Sequence, residues 1–499
     1  MTERGSSDVG SARTLPAVRR LVLIAAAAGV AVLLAWSLVA ESGHWFGALA
    51  EGHNPNAPRR IIYWEKWTGF EGEAMQRVVD EFNRRQRLRA QRQSGYRPIE
   101  VEKVIVSEIG RKFMVAVAGG DPPDLAGLWS NNVASYAEKG AMMDLTETLP
   151  KLGITREQFI PVYWGLCEHR GRVWAVPTAP ATTALHCNTR LFREVDPNWQ
   201  DPPRTIEEMD RWAERLTKWR VTTTEGTTEI RRGYCPNVPD DRKRLIQVGF
   251  LPSEPGWWRW QWGCQFGGTL HDPNRGITAD DPANVRAYEW IASHARKLGP
   301  KNIQRFQSGF GNFSSPQNAF LCGKVAMELQ GVWMANFISK YAPGMRWKAA
   351  PFPYPADRPD LKDTTYCDSD VLAIPRGCPH PREAQEFLRF VCSQEGMEIL
   401  CLGQRKFSPL AVESERFRRE HPHPYIGLFR SLAMGPNVYA PPRISVWEEY
   451  TREMANAYNT IQNHPERSVR EILGGVRVTM QRALERENRR YDRRIAAAE

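Results

Sequence analysis

The chain has 499 residues, 67 of them Lys or Arg and 57 Asp or Glu, giving a formal net charge of +10. With 42% hydrophobic and 25% charged residues it has a globular composition and room for about two to four domains, which excludes disordered, collagen-like, multi-span and small disulfide-stapled chains. The 18 tryptophans, against 14 Tyr and 19 Phe, ask for an explanation, because each indole is large and brings an N–H that needs a partner when buried. The basic residues are mostly Arg, spread along the chain among acids. They read as a solvated surface, with no nucleic-acid partner.

Residues 21–40, LVLIAAAAGVAVLLAWSLVA, form an uncharged run behind Arg19 and Arg20. Twenty helical residues span about 30 Å, the thickness of a bilayer core. The run reads as a transmembrane anchor or as a signal peptide with a cleavage site after Ala50; with the arginines inside, either one exports the rest of the chain. Residues 1–20 are the cytoplasmic n-region and 41–58 a linker. No cysteine precedes Cys167, so a lipid-anchored form is excluded. The nine cysteines contain no C-x-x-C. They read as buried small hydrophobes or as donors of one or more disulfides in an exported domain.

From residue 60 short apolar runs alternate with amphipathic segments. Residues 60–64 predict a strand, Met75, Val78, Val79 and Phe82 a helix, residues 99–106 a second strand, 109–118 a helix stopped by Gly119-Gly120, and 125–129 a third strand. This alternation predicts a parallel sheet in an α/β lobe, which binds ligands beyond the carboxyl ends of its strands. Trp64, Glu65 and Trp67 follow the first strand, and Trp129 and Asn131 end the third, so two Trp-bearing loops converge on one rim. Trp257, Trp258, Trp260 and Trp262 crowd six residues, more indoles than one core readily satisfies. Trp333 follows a strand over 325–329. Helices are expected over 285–298 and 381–392, and Val469, Ile472, Leu473, Val476, Met480, Ala483 and Leu484 make an apolar packing stripe. The helix is expected to fray from Arg486 into a charged tail, 491–499. His421-Pro422-His423-Pro424 reads as a surface loop.

No H-E-x-x-H, G-x-S-x-G, phosphate loop or dinucleotide fingerprint occurs, so no cofactor and no catalytic constellation are expected. Indoles flanked by Asp, Glu, Arg and Asn suit sugars instead, whose C–H faces stack on rings while their hydroxyls take polar partners.

These residues resemble the extracellular solute-binding proteins of bacterial ABC importers, in the sugar-binding group related to maltose-binding protein. The resemblance runs from Arg60 to about Leu484 and is carried by IIYWEKWTGFEGEAMQRVVDEFNRR, AVAGGDPPDLAGLWSNNVASYAEKGAMMDLTE, GRVWAVPTAPATTALHCNTRLF, GFLPSEPGWWRWQWGCQFGG, GKVAMELQGVW and DVLAIPRGCPHPREAQEFLRFVCS, in the family's order. In the third, His186-Cys187 stands where the family has Tyr before Asn188. The resemblance implies a type II periplasmic-binding-protein fold: two α/β lobes with crossed connections and a hinge, lobe 1 from 59–178 plus about 357–402 and lobe 2 from about 179–356 plus 403–490. It implies a ligand cleft formed by Trp64, Glu65, Trp67, Trp129, Asn131, Trp258, Trp260, Trp262 and Trp333, with Asp368, placed just before a strand over 371–374, and Arg443. It also implies a non-enzymatic receptor handing a carbohydrate, or a glycerol-phosphate-type solute, to ABC permease transmembrane subunits at the outer face of the inner membrane. An exported carbohydrate-active enzyme using Glu65 or Asp368, and a tethered solute sensor, are the alternatives.

Overall fold

The computed structural model describes residues 57–256 and 258–497. The apolar run at 21–40, the cleavage site and Trp257 lie outside them. Among the described residues no helix is long and apolar enough to cross a membrane.

The first lobe is built as its periodicity dictates. Strand β1 (Arg59–Glu65) alternates buried and half-buried side chains, and helix α1 (Gly69–Arg92) buries Met75, Val78, Val79 and Phe82 on one face. Strand β2 (Ile99–Ile105), helix α2 (Ile109–Gly119) and strand β3 (Leu125–Trp129) follow, with α2 ended by Gly120 at φ 78°. β1 pairs in parallel with β2 and β3, so the carboxyl ends of β1 and β3 share an edge.

Strand β4 (Val176–Asn188) carries the chain out of this lobe. The second lobe adds β5 (Lys218–Thr222), β6 (Thr228–Arg232), β7 (Lys243–Phe250), β8 (Val325–Gly331) and β9 (Trp347–Ala350), with helices α3 (Pro282–Leu298), α4 (Pro300–Gln307) and α5 (Met334–Tyr341). Strand β10 (Thr365–Ala373) returns, followed by α6 (Pro381–Val391), α7 (Gln394–Gln404), the short β11 (Val438–Tyr439), α8 (Trp447–Asn463) and α9 (Val469–Ala496). Among the described residues eleven strands form one network in the order β2-β1-β3-β10-β4-β8-β7-β5-β6, with β9 on β4 and β11 on β10. β4 pairs with β10 through Thr182 and with β8 from Thr183 onward, so the crossing between lobes falls at that peptide. One apolar core lies between α1, α6, α7 and β1; a larger one lies among α3, α8, α9 and β8.

Several expectations change. Leu410 and Phe417 join the first lobe's core, while Phe407 packs with Ala184, Val332 and Phe429, so the 403–417 stretch, assigned to the second lobe, touches both. Asp368 lies within β10, whose pairing with β4 starts at Cys367, and does not precede the strand. α9 continues through Ala496 and does not fray from Arg486, because Arg170 donates to Asn488 at 2.9 Å and covers the Tyr491 ring at 4.2 Å. The 421–424 segment is no surface loop at His423, which is buried and donates from Nε2 to the Val332 carbonyl at 3.0 Å. All nine cysteines are free thiols, eight of them buried and Cys322 exposed.

Candidate ligand-binding site

The first wall stands on the loops after β1 and β3. Glu65 turns inward: buried, it accepts from the Tyr63 hydroxyl and from the backbone N–H of Lys66 at 2.7 Å and of Trp67 at 3.1 Å, folding the loop over the strand end. Gly127 makes room for this, since a Cβ there would lie 2.7 Å from Tyr63 Oη. Lys66 points the other way. Its Nζ lies 3.1 Å from Asp370 Oδ1 and about equally far from the rings of Trp67 (5.3 Å) and Trp129 (5.4 Å), which meet edge to face at 6.2 Å. Trp67 Nε1 donates to Asp370 Oδ2 at 2.8 Å, so one carboxylate fixes both the cation and an indole. Trp64 packs half-buried against the apolar cluster beneath α2.

The second wall is aromatic. Trp258, at φ 52°, meets Trp333 at 5.8 Å, Trp260 at 5.8 Å and Tyr366 at 5.1 Å. Trp260 continues the chain of rings to Trp447 at 5.0 Å. Trp262 is buried among Phe250, Trp290 and Phe352 in the second lobe's core and lies behind the wall. The Trp333 ring lies on Gly331, where a Cβ would stand 2.2 Å from it.

Lys406 joins the walls. Its Nζ lies 3.0 Å from Glu71 Oε1, 4.0 Å from Asp370 Oδ2 and 6.0 Å from the Trp333 ring. Burial opposes its charge, but Glu71 and Asp370 outweigh that and hold its pKa above the ordinary lysine value. Asp368 lies on β10 two residues before Asp370. Burial pushes its pKa up to about 6 against hydrogen bonds from Ser130 Oγ and the Ser369 N–H, with Asp370 adding repulsion. Asn131 Oδ1 is buried with no hydrogen-bond partner among the described residues. Arg443 stands apart: 52% of its side chain is exposed, and it donates to the Gly165 carbonyl at 3.1 Å with Glu168 at 3.6 Å.

The lobes also touch directly. Phe70 of α1 packs on Phe337 of α5 at 5.9 Å, and Asn336 of α5 donates to the Gln404 carbonyl at 2.8 Å. The structure therefore brings together Trp67, Trp129, Trp258, Trp260, Trp333 and Asp368 near the lobe junction, leaves Glu65 and Trp262 as supports behind the walls, and sets Arg443 outside. Sequence reasoning missed Lys66, Asp370, Tyr366, Glu71 and Lys406. Lys66 lies inside a loop already singled out, and Asp370 shares a strand with Asp368; Lys406, reached through a distant loop, carries no sequence signal. Among the described residues no group of three or more His, Cys, Asp or Glu side chains is placed to hold a metal ion.

A family profile described as bacterial extracellular solute-binding protein matches residues 78–414, more than half of the chain, and the chain belongs to that family. It is similar to the arabinooligosaccharide-binding protein of Bacillus subtilis (strain 168), 21% identical over 288 residues, 57% of this chain and 59% of that protein; the chain thus matches a little under two thirds of that relative's length. Among solved structures, CpMnBP1 with mannobiose bound is similar with a TM-score of 0.68 at 22% identity, covering 85% of this chain and 99% of that one. The GacH receptor of Streptomyces glaucescens GLA.O, solved unliganded and with acarbose, gives 0.62 at 18% identity, covering 86% and 99%. These likenesses show the fold, the two-lobed type II periplasmic-binding-protein architecture. The family is one of binding proteins, and its description places it outside the cytoplasm.

Proposed function

We propose that the chain is a receptor for a neutral saccharide of two or more rings, closing its lobes over the ligand and presenting it to the transmembrane subunits of an ABC importer. The observation that supports this best is the meeting of Trp67 and Trp129 from one lobe with Trp258 and Trp333 from the other around the Lys66–Asp370–Lys406 ion group. Indoles offer faces for sugar rings, and the polar groups between them offer donors and acceptors for hydroxyls. Both lysines face carboxylates, which favours a neutral solute over a glycerol phosphate. Relatives described with mannobiose, acarbose or arabino-oligosaccharides point the same way.

In this reading Trp67, Trp129, Trp258, Trp260 and Trp333 form the platforms, Asn131 and Asp368 take hydroxyls, Trp64 supports the first wall from the cluster beneath α2, and Glu65 and Trp262 hold the walls in place. Lobe 1 comprises residues 59–178 and about 357–402, lobe 2 about 179–356 and 403–490, with 403–417 touching both, and the strands crossing at Thr182 and Thr183 are the hinge. The 21–40 segment tethers the receptor to the inner membrane or is removed after Ala50, leaving a periplasmic protein. Three or four ring contacts at about 0.5–1.5 kcal/mol each beyond area burial, with charge-assisted hydrogen bonds, are enough for a micromolar affinity of about −8 kcal/mol. A thermal-shift screen over a sugar library tests the proposal: a ligand at 100 times its dissociation constant adds about 2.7 kcal/mol of stability. Stabilisation without turnover supports a receptor. Release of cleaved sugar would replace it with an enzyme.

A further inference from the structure

The second lobe carries a strongly basic pocket at the end of the sheet away from the aromatic walls. Arg220 of β5, Arg244 of β7, Arg305 of α4 and Lys324, which precedes β8, line a cavity of about 320 Å³, with Phe306 and Phe310 at its apolar side. No acidic residue among those described lines it. Among the described residues none of the four cations makes an ion pair within 4 Å; the nearby Asp240 carboxylate is engaged by Lys243 at 3.3 Å and Asn302 at 2.8 Å, while Arg305 donates to the Asp240 backbone carbonyl at 3.4 Å and attracts the carboxylate only at longer range.

The arrangement sets like charges side by side on an exposed face. Arg220 and Arg244 are directly opposite in the antiparallel register of β5 and β7, which sets their Cβ atoms about 4.5–5.5 Å apart, and like charges so placed are destabilising. Cations that merely guard a sheet against edge-to-edge pairing belong on the edge strand. That strand is β6, which has its own Arg231 and Arg232, whereas β5 and β7 are both interior. An anion in the pocket turns the repulsion into attraction: a tetrahedral oxyanion offers several acceptors to forked guanidinium groups.

We infer that this pocket is a second ligand site, one that binds a phosphate group. Lys324 stands at the start of β8 and Trp333 beyond its end; the strand's seven residues at about 3.3 Å each put roughly 20 Å between them, so the site is separate from the saccharide cleft and does not rest on that reading. Inorganic phosphate, pyrophosphate and a lipid headgroup share the required chemistry.

The test measures the unfolding midpoint of the detergent-solubilised full chain at fixed ionic strength with sodium phosphate, sodium pyrophosphate or soluble dihexanoyl phosphatidylglycerol, against chloride alone. At least one phosphate compound is expected to raise the midpoint. The Arg220→Gln/Arg244→Gln double variant is expected to bind it at least about tenfold more weakly, because two charge-assisted contacts are gone. In chloride the same variant should unfold at or above the wild-type midpoint, since the opposed charges are removed; a purely structural role for the arginines predicts the reverse. Lys324→Gln, outside the strands, gives the same loss of response should the double variant fold poorly, and Trp333→Ala should leave the response intact. Response to pyrophosphate alone assigns a free phosphate, and response to the phosphatidylglycerol a headgroup; both support the site. No response to any of the three, or equal responses in wild type and variants, overturns it.

Discussion

Asp370 holds three groups at once: Lys66 at 3.1 Å, the Trp67 indole N–H at 2.8 Å and, more loosely, Lys406 at 4.0 Å. Both lysine side chains are only 4% exposed, so Asp370→Ala leaves buried ammonium groups short of a partner. The expected cost is about 3–5 kcal/mol, read from urea unfolding. Trp333→Ala should behave differently, weakening saccharide binding at least a few-fold with little change in the unfolding midpoint, because its ring is half-buried at the lobe junction. Calorimetric titration beside a melting curve separates the two effects. Asp368 adds a pH dependence. Its carboxyl is raised to about 6 in the fold, so its contribution to stability is complete below the ordinary aspartate value near 4 and is lost as pH rises through 6. Wild type should therefore lose roughly 2–3 kcal/mol relative to Asp368→Asn between pH 4 and pH 7.5. Parallel pH profiles of the urea midpoint would exclude that role.

Strands and helices of the first lobe were legible because each buries either one periodic face or, as in β3, a continuous apolar run. Met75, Val78, Val79 and Phe82 mark α1 at helical spacing, and β3 occupies the residues its apolar run predicts. Where tertiary contacts decide, the pattern is silent. The indole cluster enters a 3-10 turn, Gln261–Phe266, after Trp258 at positive φ, a path that neither strand nor helix periodicity describes. His423 looks like a loop residue among prolines, yet it packs near His186 and Trp347, which are far away in sequence, and against Phe429 of the following helix, and burial drives its pKa down to about 3. The rims of the site were readable from strand ends followed by Trp. The ion group that joins them was not, because Glu71, Asp370 and Lys406 come from three separate segments. The end of β8 gives an element-level prediction: Gly331→Ala puts a methyl where the Trp333 ring now lies, and should lower saccharide affinity about as much as Trp333→Ala while leaving the strand paired, as judged by far-ultraviolet circular dichroism.

At the scale of the whole molecule, two crossing strands join lobes that also meet through Phe70–Phe337 and Asn336–Gln404. On the proposed reading these contacts favour the lobes-closed form without belonging to the ring platforms. Phe70→Ala and Asn336→Ala should weaken binding of every accepted saccharide by the same factor, since they shift the closing equilibrium and not ligand recognition. Factors that differ between sugars would place these residues in the site instead. The tryptophan surplus also divides at this scale: Trp219, Trp262 and Trp447 are core, while Trp67, Trp129, Trp258 and Trp333 gather where the lobes meet. The most direct test of the account is titration of the full chain with di- and oligosaccharides, followed by tryptophan fluorescence and by small-angle X-ray scattering on the same samples. The account predicts, for at least one saccharide, a saturable fluorescence change that weakens in Trp333→Ala, together with a saturated scattering profile of the lobes-closed form. A chain that shows no saturable response to any neutral saccharide, or one that Trp67→Ala and Trp333→Ala leave unchanged, contradicts it.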